Sequence, residues 1–216
     1  MSDSAAGGQG PAGGTSLRDL LPAVAAGLSA YVPTRRWFAR KGQHIVDVAI
    51  RDLAAMPDHP TTGLAIADVR TDDGVVEGYF LPLSLVDVPL SGSTGPGIVR
   101  LDGRAIRDGI DEADACRALL RGILGGGSLP TDRGGSFEFR ALRPVAGPEP
   151  AFGDLNGGAV AVRHVGVEQS NSSVIFGERL MRMVARSERL RHQSAVLLID
   201  IVNIEQIQRD FDRRSA

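Results

Sequence analysis

A helical pattern opens the chain after a small and polar start. Apolar residues recur at helical spacing from position 17 onward, as expected for a helix with one face against a core. Thr15 or Ser16 stands where an N-cap residue is expected, Pro22 limits the first turn, and Val32-Pro33 ends the pattern. The sequence therefore predicts one helix, whose apolar residues are Leu17, Leu20, Leu21, Val24, Ala25 and Leu28.

Three segments rich in β-forming residues follow the helix: His44 to Leu53, Gly63 to Arg70 and Val75 to Leu85. Asp72-Asp73-Gly74 has the residue types of a hairpin turn between the last two. A short run from Ile98 to Leu101 adds a further strand. Together these patterns predict an α+β fold in which a helix packs on an antiparallel sheet.

The second half of the chain contains both helical and strand-like patterns of apolar residues. Apolar spacing predicts a helix over Ala105 to Leu124, with Leu120 and Leu124 on its apolar side. Ser136 to Leu142 and Ala159 to His164 are typical of strands. The tail then predicts helix, strand and helix, in the order Leu180–Arg191, Ser194–Val202 and Ile204–Arg214.

The composition of the chain disfavours nucleic-acid binding and membrane association. A formal charge of −2 and a pI near 6.1 provide no long-range field that would attract nucleic acid or an anionic membrane. We find neither a leader with a basic start before an apolar run nor an apolar stretch of about 18 residues. The expected partners therefore include no nucleic acid and no membrane, and the expected location is cytoplasmic.

Most residues that often carry chemistry have simpler explanations in this sequence. Cys116 stands among alanines and Leu119, which favours a buried, unreactive side chain over a nucleophile. Trp37 and Phe38 lie beside several cations, and packing in the core is favoured over a patch that binds a polyanion. The four histidines show no spacing typical of a shared metal. No catalytic residue and no metal ligand is predicted.

The strongest chemical signal is the segment Val165–Phe176, which indicates two short strands joined by a polar turn. Hydroxyl, amide and backbone groups of such a turn can donate hydrogen bonds to phosphate oxygens. An ordinary polar hairpin turn is the alternative that the residues alone leave open. The candidate phosphate-binding residues are Gln169, Ser170, Asn171, Ser172 and Ser173.

Two of these segments, taken in order, resemble the maltokinase family. Pro33–Gly42, with Trp37 and Phe38 at its centre, resembles the entrance to the family's N-terminal cap, and Gly166–Leu180 is similar to its N-lobe hairpin. Asp102–Ile110 and the glycine-rich lead into Phe137–Phe139 are also similar. The resemblance covers about residues 17 to 180 and implies the following domains: a disordered tail at 1–16, a maltokinase-like cap at 17–124, a partial kinase-like N-lobe at 125–180 and a divergent α/β tail at 181–216.

The resemblance implies a kinase related in fold to aminoglycoside phosphotransferases. Such an enzyme uses ATP and Mg²⁺ to phosphorylate maltose to maltose 1-phosphate, a precursor for α-glucan and glycogen synthesis. It also implies a lysine on the strand after the hairpin. Lys41 is the only lysine in the chain, and alignment puts Met183 near the lysine position with Arg182 beside it. Neither replaces the compact ammonium of lysine, so we expect no phosphotransfer by this chain alone.

Two other functions stay open. The tail from Phe176 to Ile207 resembles the opening of GGDEF-type diguanylate cyclase domains, in which Asp200 matches a Mg²⁺-binding aspartate. The missing lysine favours instead a non-catalytic interaction or regulatory module that docks a partner protein or a catalytic lobe. Both likenesses use Phe176–Leu180, so the sequence leaves open a truncated kinase, a frameshift or a genuine fusion.

Overall fold

The computed structural model describes residues 16–88, 97–101, 103–139, 160–164, 172–176, 179–183, 194–195 and 199–203. Its described part has two α-helices, α1 (Leu21–Tyr31) and α2 (Ala113–Gly125). Three 3₁₀ turns accompany them, at Arg18–Leu20, Val32–Thr34 and Gly109–Asp111. The predicted first helix is confirmed, although its first turn is 3₁₀ rather than α.

A curled antiparallel sheet forms the centre of the structure. Its strands are β1 (Ile45–Met56), β2 (His59–Thr71), β3 (Val76–Asp87), β4 (Val99–Leu101) and β5 (Arg104–Asp108). They lie in the order β1-β2-β3-β5-β4. The predicted α+β class is confirmed, and so is the turn between β2 and β3, where Gly74 has a φ of 79°.

Seven shorter strands follow: β6 (Gly127–Pro130), β7 (Ser136–Phe139), β8 (Val162–His164), β9 (Ser172–Phe176), β10 (Arg179–Met183), β11 (Ser194–Ala195) and β12 (Ile199–Asn203). Four of them form an antiparallel sheet in the order β12-β10-β9-β8. The other three form a small sheet in the order β11-β7-β6. The described part of the chain therefore holds three sheets.

The central sheet is buried on both faces, which its sequence shows most clearly in β2. Successive strand residues point to opposite faces. Leu64 and Ile66 belong to one buried cluster, and Ala65 and Ala67 belong to the other. Large side chains on one face and small ones on the other leave room for a helix against the second face. We call these clusters the α2 core and the α1 core, respectively.

The α1 core holds the first helix against the central sheet. Val24 and Leu28 of α1 are fully buried in it, together with both tyrosines. Gly27 allows a close approach, because a Cβ at this position would lie 2.2 Å from the carbonyl oxygen of Ile98. Before α1, the hydroxyl and backbone N–H of Ser16 both donate to the carboxylate of Asp19, and the Ser16 hydroxyl oxygen accepts from the N–H of Asp19 at 3.4 Å.

The α2 core lies on the opposite face and joins all three sheets. It contains Leu119 and Leu120 of α2, Phe80 of the central sheet and Phe137 of β7. Phe176 of β9 is 1% exposed in the same cluster. One continuous core therefore includes residues on both sides of position 124, where the cap was predicted to end.

The predicted helix from Ala105 to Leu124 is wrong over its first eight residues. Arg104–Asp108 is strand β5, paired with β3 and β4, and α2 begins only at Ala113. Ile106 and Ile110 fit a helical spacing, but Asp108 between them accepts a hydrogen bond from the N–H of Ile110 and starts a 3₁₀ turn. Leu124, predicted on the apolar side, is exposed.

The predicted tail helix is also wrong at its start. Residues 179–183 form strand β10 between β9 and β12, where main-chain pairing on both sides overrides the helical spacing of Leu180 and Met183. The resemblance to a diguanylate cyclase domain requires a helix at this point, so strand β10 disfavours it. Instead of the one strand predicted over Ser194–Val202, the structure has two short strands in different sheets, β11 beside β7 and β12 beside β10; residues 196–198 between them lie outside the described residues. The first 15 residues and the predicted helix Ile204–Arg214 lie outside the described residues.

Candidate functional site

Strand β9 is the second strand of the predicted hairpin Val165–Phe176, and it pairs with β8, which lies just before that segment; residues 165–171 lie outside the described residues. The strands pair antiparallel, with Val162 opposite Phe176 and His164 opposite Val174. Val174 and Phe176 are buried in the α2 core. The hairpin strand β9 is thus anchored by apolar side chains on one face, which leaves its other face directed away from α2.

Two of the five candidate phosphate-binding residues lie on a described strand. Ser172 and Ser173 are the first two residues of β9, at the end of the strand nearest the connection to β8. The other three belong to that connection and lie outside the described residues: Gln169, Ser170 and Asn171. The phosphate-binding role of all five stays a prediction.

Strand β10 follows the hairpin and pairs with β9, as the lysine-bearing strand of the resemblance would. Its register places Arg182 opposite Ser173 and Met183 opposite Ser172. Residues opposite each other share a face of the sheet, and neighbours along a strand alternate between faces. Met183 and Ser172 therefore share the face of buried Phe176, whereas Arg182 and Ser173 share the opposite face.

Asp200 is a register partner of Arg182 on the other side. The pairing of β10 with β12 places the two residues directly opposite each other. Within the part of the chain that is described, no three His, Cys, Asp or Glu residues form a group arranged for a metal ion. The Mg²⁺-binding role of Asp200 stays a prediction.

The aromatic pair of the cap-like segment packs in the α1 core, as predicted. Trp37 is 9% exposed and Phe38 is 1% exposed. The ring centroids of Trp37 and Tyr79 lie 5.3 Å apart, and those of Phe38 and Tyr79 lie 6.0 Å apart. Arg40 turns outward to an ion pair with Asp73 at 2.7 Å. This segment is therefore an anchor for the loop after α1.

A buried charge cluster that the sequence analysis missed lies beside this anchor. It consists of Tyr31, Arg35, Asp108 and Asp111, and we call it the Asp108 cluster. Asp108 accepts hydrogen bonds of 3.1 Å from the Tyr31 hydroxyl and from the N–H of Ile110. The guanidinium of Arg35 lies 3.6 Å from Asp108 and 3.5 Å from Asp111, and 5.1 Å from the centre of the Tyr31 ring. The cluster joins the end of α1 to the end of β5.

Burial dominates the electrostatics of this cluster. Desolvation and the neighbouring Asp111 raise the pKa of Asp108 to about 6, against the lowering effect of Arg35 and of its two hydrogen bonds. Burial and the charge of Asp108 raise the pKa of Tyr31 as well. The arrangement makes Asp108 a carboxyl group that can exchange a proton near neutral pH.

Cys116 borders the cluster from α2 and is fully buried, as predicted. Its thiol donates to the carbonyl oxygen of Ile110 at 3.2 Å. Burial, reinforced by Asp108, raises the pKa of the thiol to about 12. A thiol with a raised pKa is a poor nucleophile, so Cys116 acts as a packing residue.

No sequence signal pointed directly at the Asp108 cluster. Its members come from positions 31–35 and 108–111, and the wrong helix prediction placed Asp108 on a polar helical face. The available hint was Asp108-Gly109, a turn dipeptide inside an otherwise apolar pattern. Only the pairing of β5 with β3 brings the carboxyl group under the end of α1.

A protein-family model described as the maltokinase N-terminal cap domain matches residues 31–111. Residues 31–111 are therefore similar to this cap domain. The match begins at Tyr31 and ends at Asp111, so it contains every strand of the central sheet and all four members of the Asp108 cluster. It covers less than half of the 216 residues and does not extend to the hairpin.

The family match supports conclusions about residues 31–111 and none about the residues beyond them. For residues 31–111 the resemblance to maltokinases is confirmed. The kinase-like lobe, the nucleotide and the sugar concern residues beyond the match. In the described residues, no helix has the length and apolarity needed to cross a membrane.

Proposed function

We propose that this chain supplies the N-terminal cap and the beginning of the ATP-binding lobe of a maltokinase-like sugar kinase. The match of residues 31–111 to the maltokinase cap is the observation that carries the proposal. In the complete reaction a maltose hydroxyl attacks the γ-phosphorus of Mg·ATP, loses its proton, and displaces ADP to give maltose 1-phosphate. The wider role is in α-glucan and glycogen synthesis.

The order of strands after the cap supports the lobe assignment. β8 and β9 are an antiparallel pair, and β10 adds to β9 in the same sheet. A hairpin followed by a third antiparallel strand is the arrangement in which a kinase N-lobe holds the phosphates and its lysine. Ser172 and Ser173 begin the second strand, next to the connection that holds the other predicted phosphate contacts.

The predicted phosphate site of this chain lacks the lysine that a kinase uses to position the phosphates. β10 carries Arg182 and Met183 where lysine is expected, and the sequence contains no lysine after Lys41. Arginine is larger, planar and different in geometry from an ammonium group. We therefore expect the 216-residue chain by itself to bind Mg·ATP weakly and to show no maltose-dependent ATP consumption.

A coupled assay of ADP formation tests this expectation. Purified chain is assayed with Mg·ATP with and without maltose, beside a variant in which Asn171 and Ser172 are both replaced by leucine. The expected result is the same background rate in all four samples. Maltose-dependent turnover by the wild-type chain that is lost in the variant would overturn the claim of inactivity, while supporting the phosphate site itself.

Restoring the lysine gives a sharper test of the lobe. We expect Arg182→Lys, on the face of Ser173, to tighten Mg·ATP binding measured by calorimetry by about tenfold, the worth of one charge-assisted hydrogen bond. Met183→Lys is the matched control, because its position shares the face of buried Phe176. Equal or absent gains in the two variants would contradict the proposed site.

A non-catalytic interaction module is the second candidate, and the replacement of lysine on β10 is the observation that favours it. In that case the hairpin and the arginine-containing strand dock a partner protein or a separate catalytic lobe. Calorimetry distinguishes the two candidates. Micromolar binding of Mg·ATP by the wild-type chain would exclude a module that has given up its nucleotide.

A further inference from the structure

The Asp108 cluster connects segments that no turn or strand pairing connects. Tyr31 ends α1 and Arg35 follows the next 3₁₀ turn, while Asp108 and Asp111 end β5 and the turn after it. Tyr31 donates to Asp108 directly, and Arg35 lies between the two carboxylates. The cluster is therefore a polar contact between the loop that leads to Trp37 and the end of β5.

The two carboxylates of the cluster differ in how strongly a change of charge affects Arg35. The side chain of Asp111 is 39% exposed, so its carboxylate is accessible to solvent. Asp108 is buried, with a side chain 4% exposed, so the loss of its charge removes the electrostatic reason for Arg35 to point inward. Arg35 itself is 23% exposed and already lies 3.5 Å from Asp111, so it can keep that partner and turn outward into water when Asp108 loses its charge.

Other charged groups around Asp108 have their own partners. Arg107 on β5 is paired with Glu112 at 2.8 Å, and Arg117 on α2 is paired with Asp114 at 2.6 Å. Cys116, the titratable group that α2 contributes nearest to the cluster, keeps its proton because its pKa is raised to about 12. The charge of Asp108 is thus governed mainly by its burial, by Asp111 and by Arg35.

We propose that Asp108 is a proton-controlled latch of the cap: its carboxylate holds Arg35 inward, and its protonation releases Arg35 and changes the packing of the 35–38 segment. The pKa of about 6 places the transition close to neutral pH. This inference concerns the cap alone and does not depend on the proposed kinase activity.

Trp37 provides a direct reporter for the latch, since it is the only tryptophan in the chain and lies two residues after Arg35. Its emission is recorded on the folded chain from about pH 5 to about pH 8, a range that spans the transition. We expect a sigmoidal change with a midpoint near pH 6. A flat response, with the Asp108 carboxyl seen to titrate by ¹³C NMR, would show that the charge changes without moving the segment and would overturn the latch.

Three variants locate the titrating group. Asp108→Asn imitates the protonated acid and retains all four histidines, so the transition should disappear. Arg35→Gln removes the cation that is released, so the emission transition should be lost, whereas the Asp108 carboxyl, followed by ¹³C NMR, should titrate at a higher pH because the guanidinium lowers its pKa. Arg40→Gln is the matched control, since Arg40 pairs with Asp73 and not with Asp108, and its midpoint should equal that of the wild type.

The outcomes are decisive in either direction. An unchanged transition in Asp108→Asn would assign the signal to another group and overturn the proposal. Should that variant fail to fold, Tyr31→Phe replaces it: loss of the Tyr31 hydrogen bond, which lowers the pKa of Asp108, should raise the midpoint. An emission transition that persists in Arg35→Gln, or a midpoint that stays fixed in Tyr31→Phe, would exclude Asp108 as the latch.

Discussion

The two faces of the central sheet are stabilised in different ways. The α1 core combines aliphatic residues with Trp37, Phe38 and Tyr79, and borders on the buried Asp108 cluster. The α2 core is almost entirely apolar, and its one cysteine behaves as a hydrophobic residue. Apolar burial is insensitive to pH, whereas a buried carboxyl group is not. The comparison shows that the central sheet has a buried carboxyl group on one face and its apolar contact with β9 on the other.

The largest expected effect is the loss of the aromatic side chain that ties β9 to the α2 core. Phe176→Ala should destabilise the chain by about 3–5 kcal/mol, because it removes a buried ring and leaves a cavity. Chemical denaturation is followed by far-UV circular dichroism and by Trp37 emission, which reports on the opposite face. Val46→Ala serves as control, since Val46 is 57% exposed.

Both probes should shift together in Phe176→Ala because the two cores share strand β2. Separate transitions, with Trp37 unaffected, would show that the α1 core unfolds independently of the second sheet. That result would favour a domain boundary near position 124 and contradict the single continuous core described above.

The pH dependence of stability gives the next largest difference between the faces. The pKa of Asp108 is raised in the folded state from 3.8 to about 6, so its contribution to stability is present below 3.8 and is lost as the pH rises through 6. The wild type should therefore lose roughly 2–3 kcal/mol relative to Asp108→Asn between pH 4 and pH 7. Denaturant midpoints of the two chains across this range measure the difference. A constant difference would mean that Asp108 does not titrate in the fold.

Glycine substitutions compare how tightly each helix approaches its neighbours. Gly27→Ala in α1 places a Cβ 2.2 Å from the backbone oxygen of Ile98, so the strand must move. Gly122→Ala in α2 meets a ring carbon of Phe139 at 3.1 Å, and a side chain yields more easily than backbone. We expect a loss of about 1–3 kcal/mol for the first and a smaller loss for the second. Calorimetric melting temperatures check the order, and a larger loss at Gly122 would contradict it.

The smallest effect is expected at the surface. Arg18 and Asp132 form a two-pronged ion pair of 2.6 and 2.7 Å that connects the first turn to the β6–β7 turn. Arg18→Ala should cost less than about 1 kcal/mol, because the arginine is exposed and salt screens the pair. The difference from the wild type should vanish at high ionic strength, and a loss that persists in high salt would indicate packing by the arginine side chain instead.

The accuracy of the sequence predictions depended on how local the structural cause was. The hairpin of β2 and β3 was predicted because its turn residues and the alternation around it agree. The helix predicted from Ala105 began eight residues early, because the apolar residues of β5 fit two periodicities and only pairing with β3 decides between them. The same reason explains β10, whose residues at helical spacing pair with strands on both sides.

The same difference between local and long-range causes applies to the candidate site. The cap was recognisable because a contiguous segment carries its Trp37 and Phe38 anchor, and the family match confirms it. The strand register that sets Arg182 opposite Ser173, and not Met183, depends on long-range hydrogen bonding. Spacing within β10 alone does not distinguish the two residues.

By itself, the sequence determined the class of fold, the first helix, strands β1 to β4 of the central sheet and the burial of Trp37, Phe38 and Cys116, since each follows from local patterns of polarity. The tertiary structure alone decided that Tyr31, Arg35, Asp108 and Asp111 meet, and that one apolar core extends from the cap to β9. A buried charge requires partners that are distant in sequence, and the chain must close around them before the pKa of that charge has any reason to change.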